Sequence, residues 1–168
     1  DSSAALIVDG KIICAAEEER FTRIKHYAGF PISSIRWCLE YSSTPLNKID
    51  HIAINTSSDS NFYKKVFFTI LNRPNPKFIL DKFLTKRKKL NLDYFFKKHF
   101  NEKILNCKFH YLDHHLCHLA SAYYCSPFEK TALLAVDGFG DFASTSWGIG
   151  EQNIILKKDQ IIFPHSLG

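Results

Sequence analysis

Short apolar runs separated by polar turns divide the first part of the chain into recognisable elements. Two mostly apolar runs occupy positions 3–8 and 11–16, on either side of Asp9-Gly10. Because an Asp-Gly pair favours a tight hairpin turn, this pattern predicts a β-hairpin, which we call hairpin one. Helical spacing of apolar residues then predicts a helix that starts near Pro31 and ends at about 42–45, and Ile49 to Asn55 is predicted to be a strand.

The last third of the chain carries a second group of elements. Asp113 is placed to cap a helix over 114–124, and a glycine turn is expected from Asp137 to Asp141. The apolar runs predict five strands, at 109–112, 131–136, 142–149, 154–156 and 160–163, of which the last two should pair antiparallel. Hairpins mixed with helices predict an α/β domain with a mixed β-sheet and flanking helices.

Composition narrows the class of protein. The 168 residues are 45% hydrophobic, enough for a buried core, and the longest apolar runs are far shorter than the roughly 20 residues of a membrane span. Five cysteines without a C-x-x-C pair argue against a disulfide scaffold, and no secretory signal is seen. We therefore expect a soluble, cytoplasmic protein. Because methionine is absent, we also expect a fragment of a longer chain.

Positive charge is concentrated in one segment. The net charge is +5, and residues 63–103 hold twelve Lys or Arg against three acids, which leaves 10 against 14 elsewhere (22 − 12 and 17 − 3). Residues 57–108 are rich in Lys, Phe and Asn and predict two or three amphipathic helices that form a basic insertion. Such a segment could bind nucleic acid through its aromatic residues, but we expect the aromatic face to be core and the lysines to face water.

Two histidines at helical spacing are the first candidate site. His114 and His118 lie four residues apart, so their rings project from one helix face and can bind a single cation, whereas His115 points elsewhere. Asp137, at the end of the next strand, could supply a carboxylate ligand. The alternative is that the histidines only cap or pack the helix. Small residues at 120–122 are expected to let this helix pack closely on a sheet.

The glycine turn is the second candidate site. In Asp137-Gly138-Phe139-Gly140-Asp141, two glycines would let the backbone approach a ligand and present N–H groups to a phosphate. The alternative is an ordinary strand connection. A third cluster, residues 17–26, contains Arg20, Arg23 and Lys25, which could contact phosphoryl oxygens or form a solvated surface of paired charges.

Five blocks in order resemble one known family. The chain is similar to the amino-terminal region of the nodulation-type and antibiotic-biosynthesis O-carbamoyltransferases. The blocks are Asp1–Leu6 with Val8-Asp9-Gly10, Glu17–His26, His114–Tyr124, Val136–Asp141 and Pro164–Gly168. The resemblance implies the first half of an actin-like or sugar-kinase-like (ribonuclease H-like) domain, with residues 57–108 outside the match.

The resemblance also implies an activity and a set of roles. In the family, carbamoyl phosphate and ATP form carbamoyl adenylate, and the carbamoyl group passes to a hydroxyl of a sugar or antibiotic; the implied metal is iron. Carried over by position, His114, His118 and Asp137 would bind the metal, and the turn from Asp137 to Asp141 would meet the adenylate phosphate. Arg20, Lys25 and His26 would contact the nucleotide or the carbamoyl group.

The sequence differs from the family pattern at two positions, and two alternative functions remain open. A histidine that precedes Asp1 in the family, a candidate general base, is not part of this sequence, and Cys117 stands where alanine is usual. This fragment alone is expected to be inactive. The rival hypotheses are a kinase or phosphatase of the same fold and a non-catalytic basic binding module. Neither a membrane nor nucleic acid is expected as a partner.

Overall fold

The computed structural model describes residues 1–57, 61, 63, 66–68, 70, 92–100 and 107–167, with side chains from Phe95 onward in the stretch 92–100. The chain forms two compact units, one made of Asp1–His51 and Lys77–Lys108 and the other of Ile52–Pro76 and Phe109–Gly168. The predicted α/β class is confirmed. In the described part, however, the strands form three small sheets of two, two and three strands instead of one mixed sheet, because most of them pair with a sequence neighbour.

Hairpin one opens the first unit, as predicted. Strands β1 (Ser3–Val8) and β2 (Lys11–Glu17) pair antiparallel, with Val8 opposite Lys11. Asp9 and Gly10 form the two-residue turn, and both have positive φ, 49° and 77°. Positive φ at both central residues matches the right-handed twist of the strands, which is why Asp-Gly suits this turn.

The predicted second element of the first unit is helix α2 (Ile32–Tyr41), which follows the single-turn helix α1 (Glu19–Thr22). It packs on hairpin one around two buried thiols, Cys14 and Cys38, and the Cys38 thiol contacts the Ala4 carbonyl oxygen at 3.7 Å. Burial, with a further contribution from Cys14, raises the pKa of Cys38 to about 11. The Cys38 thiol therefore packs as a neutral group, and none of the five cysteines forms a disulfide.

A buried carboxylate caps helix α2 from outside the helix. Glu18 is 2% exposed and accepts hydrogen bonds from Ser33 N (3.0 Å), Ser34 N (2.8 Å) and Ser34 Oγ (2.7 Å). Burial, the largest influence, raises the pKa of Glu18, but these hydrogen bonds outweigh it and hold the pKa below its ordinary value of 4.5. Glu18 thus satisfies N–H groups that a helix start leaves unpaired.

One helix of the predicted insertion is described. Helix α3 (Leu92–Phe100) buries Phe96, which packs edge-on against Phe30 at 5.3 Å between ring centroids, while Phe95 stacks on the same ring at 5.1 Å. Lys97 and Lys98 are exposed. For this helix the expectation of an aromatic core face and solvated lysines is confirmed. The other expected helices of 57–108 lie outside the described residues, apart from a few isolated positions.

The second unit contains a three-stranded antiparallel sheet, β5 (Lys130–Gly140), β6 (Ala143–Glu151) and β7 (Ile154–Ile162). Strand β3 (His51–Ile54) pairs with β4 (Lys108–Tyr111); both strands were predicted, but their pairing was not. The prediction of two strands within 154–163 was wrong. Strand β7 is continuous because its polar middle pairs along β6, with Lys157 opposite Gly148 and Asp159 opposite Trp147, so no turn is needed.

The turn after β5 is shorter than the sequence predicted. Strand β5 continues to Gly140, which pairs with Ala143, so only Asp141 and Phe142 form the turn. Both have positive φ, 51° and 74°, as in a two-residue hairpin. Between Val136 and Gly140 the pairing register shifts, which marks an irregular strand end instead of a wide glycine loop.

Helix α4 (His114–Tyr123) packs on this sheet. Asp113 caps it as predicted, because its side chain accepts a hydrogen bond from Leu116 N at 2.8 Å. The packed stripe is His115, Leu119 and Tyr123, at intervals of four residues. Leu119 and Tyr123 meet three sheet residues, Leu133, Ala135 and Ile155.

The expected contribution of the small residues at 120–122 was wrong in part. Ser121 and Ala122 are exposed. The small residue that permits close approach lies on the sheet, since a Cβ added at Gly150 would stand 2.6 Å from the Tyr123 ring. Close packing therefore depends on strand β6 and not on those two helix residues. None of the described helices has both the length and the apolarity needed to cross a membrane.

We predict that Glu18→Gln lowers the free energy of unfolding at pH 7 by about 1–3 kcal/mol, because two buried N–H groups lose a charged acceptor. A carboxylate whose pKa is lowered by folding stabilises above its unfolded pKa of about 4.5, and this stabilisation is lost as pH falls through the lower folded value. Urea denaturation at pH 7 and at successively lower pH measures both effects.

The matched control for this prediction is Glu17→Gln. Glu17 forms an exposed ion pair with Arg20 at 3.2 Å, so its loss should cost less than about 1 kcal/mol. Equal unfolding free energies for the two variants at pH 7 would show that the Glu18 cap contributes no more than a surface charge.

Candidate metal centre

The structure brings three predicted ligand residues together at the start of α4 and the end of β5. The Nε2 atom of His114 lies 3.0 Å from Oδ2 of Asp137 and 3.0 Å from Nε2 of His118. The Nε2 atom of His118 lies 3.8 Å from the same Asp137 oxygen. All three ligand atoms are within 4.8 Å of one another, and among the described residues no other group of three or more ligand side chains converges in this way.

Local structure explains why these side chains meet. The stripe of His115, Leu119 and Tyr123 is buried, which sets the rotation of α4 and leaves His114 and His118 side by side at the edge of the packed face. Gly140 lets the imidazole of His114 sit directly against β5, since an added Cβ there would overlap the ring. A side chain at position 140 would therefore displace His114.

Two of the three ligand residues, His114 and Asp137, also form hydrogen bonds through the side-chain atom that does not face the cluster. Nδ1 of His114 is 3.2 Å from the carbonyl oxygen of Asn55, which can only accept, so this contact requires the hydrogen on Nδ1. With that hydrogen in place, a neutral ring would offer the electron pair of Nε2 to a bound metal ion; without an ion, Nε2 faces the Asp137 carboxylate and can donate to it. Oδ1 of Asp137 accepts a hydrogen bond from Gly138 N at 2.7 Å, which directs Oδ2 toward the two imidazoles.

The electrostatics of the cluster favour the deprotonated forms of two members. Burial alone raises the pKa of Asp137, but the hydrogen bonds from Gly138 and His114 and the nearby imidazoles outweigh it and hold the pKa below its ordinary 3.8. Burial lowers the pKa of His118 below its ordinary 6.5, and His114 lowers it further against the opposing charge of Asp137. At neutral pH both groups can act as electron-pair donors.

Two neighbouring residues on α4, His115 and Cys117, are not part of the ligand cluster. His115 is 1% exposed, and its Nε2 donates to the Ala143 carbonyl oxygen at 3.0 Å, as expected for a ring that points elsewhere. Burial raises the pKa of the Cys117 thiol, and the carboxylates of Asp113 and Asp141 raise it further. The thiol therefore stays protonated and is a poor metal ligand.

Sequence reasoning missed a set of polar contacts around the cluster. The segment after β3 supplies Asn55, Thr56 and Ser57, and the last two donate to the carboxylate of Asp141 at 2.9 Å each. Lys157 forms a half-buried ion pair with Asp113, the cap of α4, at 2.9 Å. The only sequence signal for Asn55, Thr56 and Ser57 is that three polar residues directly follow a strand. No sequence signal indicates the ion pair of Lys157.

The glycine positions expected to bind phosphate differ from each other. Gly140 contacts the His114 ring, whereas a Cβ added at Gly138 would meet no atom within 4 Å. Both lie in β5 and not in a loop. Phosphate binding by Asp137, Gly138, Gly140 and Asp141 stays a prediction.

Arg20, Lys25 and His26 belong to the first unit, whereas the histidine–aspartate cluster belongs to the second. Arg20 pairs with Glu17, and Nδ1 of His26 lies 3.2 Å from the carboxylate of Asp1. All three are exposed, as expected for the solvated charge cluster. Their roles toward nucleotide or carbamoyl group stay predictions.

Comparison with known proteins places the chain in a family. The family described as Carbamoyltransferase N-terminus matches residues 1–168. An uncharacterized protein of Synechocystis is 37% identical over 100% of this chain and 28% of its own length. The nodulation protein NolNO of Sinorhizobium fredii is 33% identical over 99% of this chain and 23% of its own length.

An uncharacterized protein of Methanocaldococcus jannaschii is 29% identical over 96% of this chain and 25% of its own length. The chain thus spans about a quarter of the length of these curated relatives. The predicted resemblance is confirmed by a match over every residue of the sequence. The chain belongs to the carbamoyltransferase family, of which it represents the amino-terminal region.

Proposed function

We propose that this chain supplies the metal-binding part of the transfer site in an ATP-dependent O-carbamoyltransferase. The donor would be carbamoyl adenylate, made from carbamoyl phosphate and ATP, and the acceptor a hydroxyl of a small molecule of the sugar or antibiotic type. The single observation that supports a site here is the convergence of His114, His118 and Asp137 on one point. Family membership supports the class of reaction.

The spacing of the three atoms fits a metal ion. Two donor atoms at right angles around an ion, each about 2.1 Å from it, lie about 3.0 Å apart, and donors at wider angles lie somewhat farther apart. The separations among the three atoms are 3.0, 3.0 and 3.8 Å. A triangle of this size could accommodate one ion, which His114, His118 and Asp137 would hold.

The donor chemistry suits a divalent first-row metal. Two imidazoles and one carboxylate that leave open positions form the set typical of non-haem Fe(II), and zinc and manganese accept the same donors. We assign iron in agreement with the family resemblance. When bound, the ion would act as a Lewis acid that polarises an oxygen of the donor and neutralises negative charge beside it.

The residues of this chain prepare the site for that chemistry. The Asn55 carbonyl keeps the free electron pair of His114 on Nε2, and the Gly138 N–H directs the Asp137 carboxylate. Cationic side chains elsewhere in the chain, Arg20 and Lys25, would stabilise negative charge on the leaving adenylate, with His26 beside the nucleotide or carbamoyl group.

We predict that His118→Ala in the full-length protein lowers the rate of carbamoyl transfer by roughly 100-fold or more. Substitution of residues that only support metal ligands costs about 10–100-fold, and loss of a ligand should cost at least as much as the upper end of that range. Transfer is followed as radiolabel moving from carbamoyl phosphate into product, with ATP and a panel of sugars as acceptors. Ser121→Ala, which removes an exposed hydroxyl from the same helix, should retain wild-type rates. Normal transfer by His118→Ala would contradict the assignment, and ATP use that ignores carbamoyl phosphate would favour a kinase or phosphatase.

We predict that Gly140→Ala weakens metal binding by at least about tenfold, because the new Cβ would overlap the His114 ring and move its Nε2 away from the other ligands. Gly138→Ala is the matched control, since its Cβ would meet no atom within 4 Å. Titration with Co(II), followed by visible absorption, measures both affinities. Equal Co(II) affinity in the two variants would exclude the packing of His114 on Gly140 as a requirement of the site.

A further inference from the structure

The Asp141 carboxylate makes three hydrogen bonds that the proposed chemistry does not use. Its Oδ1 accepts from Thr56 Oγ1 at 2.9 Å, and its Oδ2 accepts from Ser57 N at 2.9 Å and from His114 N at 3.1 Å. A carboxylate in this position joins two segments more than 25 residues away in sequence. Both oxygens are thereby engaged inside the second unit.

These contacts surround the hydrogen bond that orients His114. That bond joins the ring of His114 to the carbonyl of Asn55. Asp141 accepts a hydrogen bond from the backbone N–H of His114, and it also binds Thr56 and Ser57, the two residues that follow Asn55. One carboxylate therefore fixes the backbone on both sides of the contact between Nδ1 and the carbonyl oxygen. Asn61 in turn donates through Nδ2 to the Asp141 carbonyl at 3.0 Å, which holds the turn itself.

We propose that Asp141 is a positioning residue for His114: by holding His114 N together with Thr56 and Ser57, it keeps Nδ1 of the imidazole at the Asn55 carbonyl and Nε2 facing Asp137. This inference rests on the proposed metal site. It gives the Asp141 carboxylate a role besides the phosphate binding predicted from the sequence. Second-sphere groups of this kind typically change metal affinity by about 10–100-fold.

The conformation of the turn allows the carboxylate to be removed cleanly. Asp141 has φ of 51°, a left-handed conformation that glycine and asparagine adopt without strain. Asp141→Gly therefore removes all three hydrogen bonds but keeps the turn, while Asp141→Asn keeps the turn and one acceptor oxygen. Asp9→Gly is the matched control, because Asp9 has φ of 49° in the equivalent place of hairpin one.

The first measurement is Co(II) binding, monitored by visible absorption at one fixed pH. We expect Asp141→Gly to bind Co(II) at least about tenfold more weakly than wild type and with an altered spectrum. Asp141→Asn should lie between the two, and Asp9→Gly should match wild type. If wild type and Asp141→Gly share one affinity and one spectrum, the inference is wrong while the metal site stands.

The second measurement needs no metal. Proton NOE spectra of the metal-free protein show whether the His114 ring packs on Gly140, as it does in the structure. Wild type and Asp9→Gly should show NOEs between the His114 ring and the Hα atoms of Gly140, and Asp141→Gly should lose or weaken them. If wild type binds no Co(II), the proposed metal site fails, and these NOEs still decide whether Asp141 positions the ring; unchanged NOEs in Asp141→Gly overturn the inference.

A milder pair of variants covers the case in which Asp141→Gly does not fold. Thr56→Val removes one of the three donors, and Thr56→Ser retains its hydroxyl. We expect Thr56→Val to weaken Co(II) binding by a smaller factor than Asp141→Gly, and Thr56→Ser to restore it. Identical affinities for Thr56→Val, Thr56→Ser and wild type count against the proposed positioning.

Discussion

Burial of one stripe of helix α4 against the β5–β6–β7 sheet is the interaction on which the rest of the second unit depends. His115, Leu119 and Tyr123 pack at intervals of one helical turn, and Gly150 leaves room for the tyrosine ring. This packing sets the rotation of the helix about its own axis. Because residues 114 and 118 adjoin the buried stripe, their imidazoles must emerge at its edge, beside the end of β5.

Strand and helix alone would leave the imidazoles free to rotate, and the polar contacts remove that freedom. The carbonyl of Asn55 fixes one ring, the N–H of Gly138 directs the Asp137 carboxylate, and Asp141 holds the backbone on both sides of the first contact. Preorganisation of this kind lowers the entropic cost of gathering three ligands around an ion. The same arrangement places two imidazoles close together in a partly buried cluster. Burial and the neighbouring His114 therefore disfavour the charged form of His118 and lower its pKa.

Local chemistry explains which features could be predicted from the sequence. The Asp9-Gly10 turn, the Asp113 cap and the four-residue spacing of His114 and His118 are determined by neighbours along the chain. The Asp141 contacts join residues 27 to 85 positions apart, so no local pattern reveals them. Strand β7 was divided wrongly because its charged middle resembles a turn, although pairing with β6 keeps it extended.

The central claim is that His114, His118 and Asp137 bind one metal ion. The most direct measurement is a crystal structure of the protein grown with Fe(II) under anaerobic conditions, with anomalous difference maps recorded on both sides of the iron absorption edge. The account predicts one strong peak about 2.1 Å from Nε2 of each histidine and from a carboxylate oxygen of Asp137. An iron peak bound by other residues, or these three side chains turned to different sides, would contradict it.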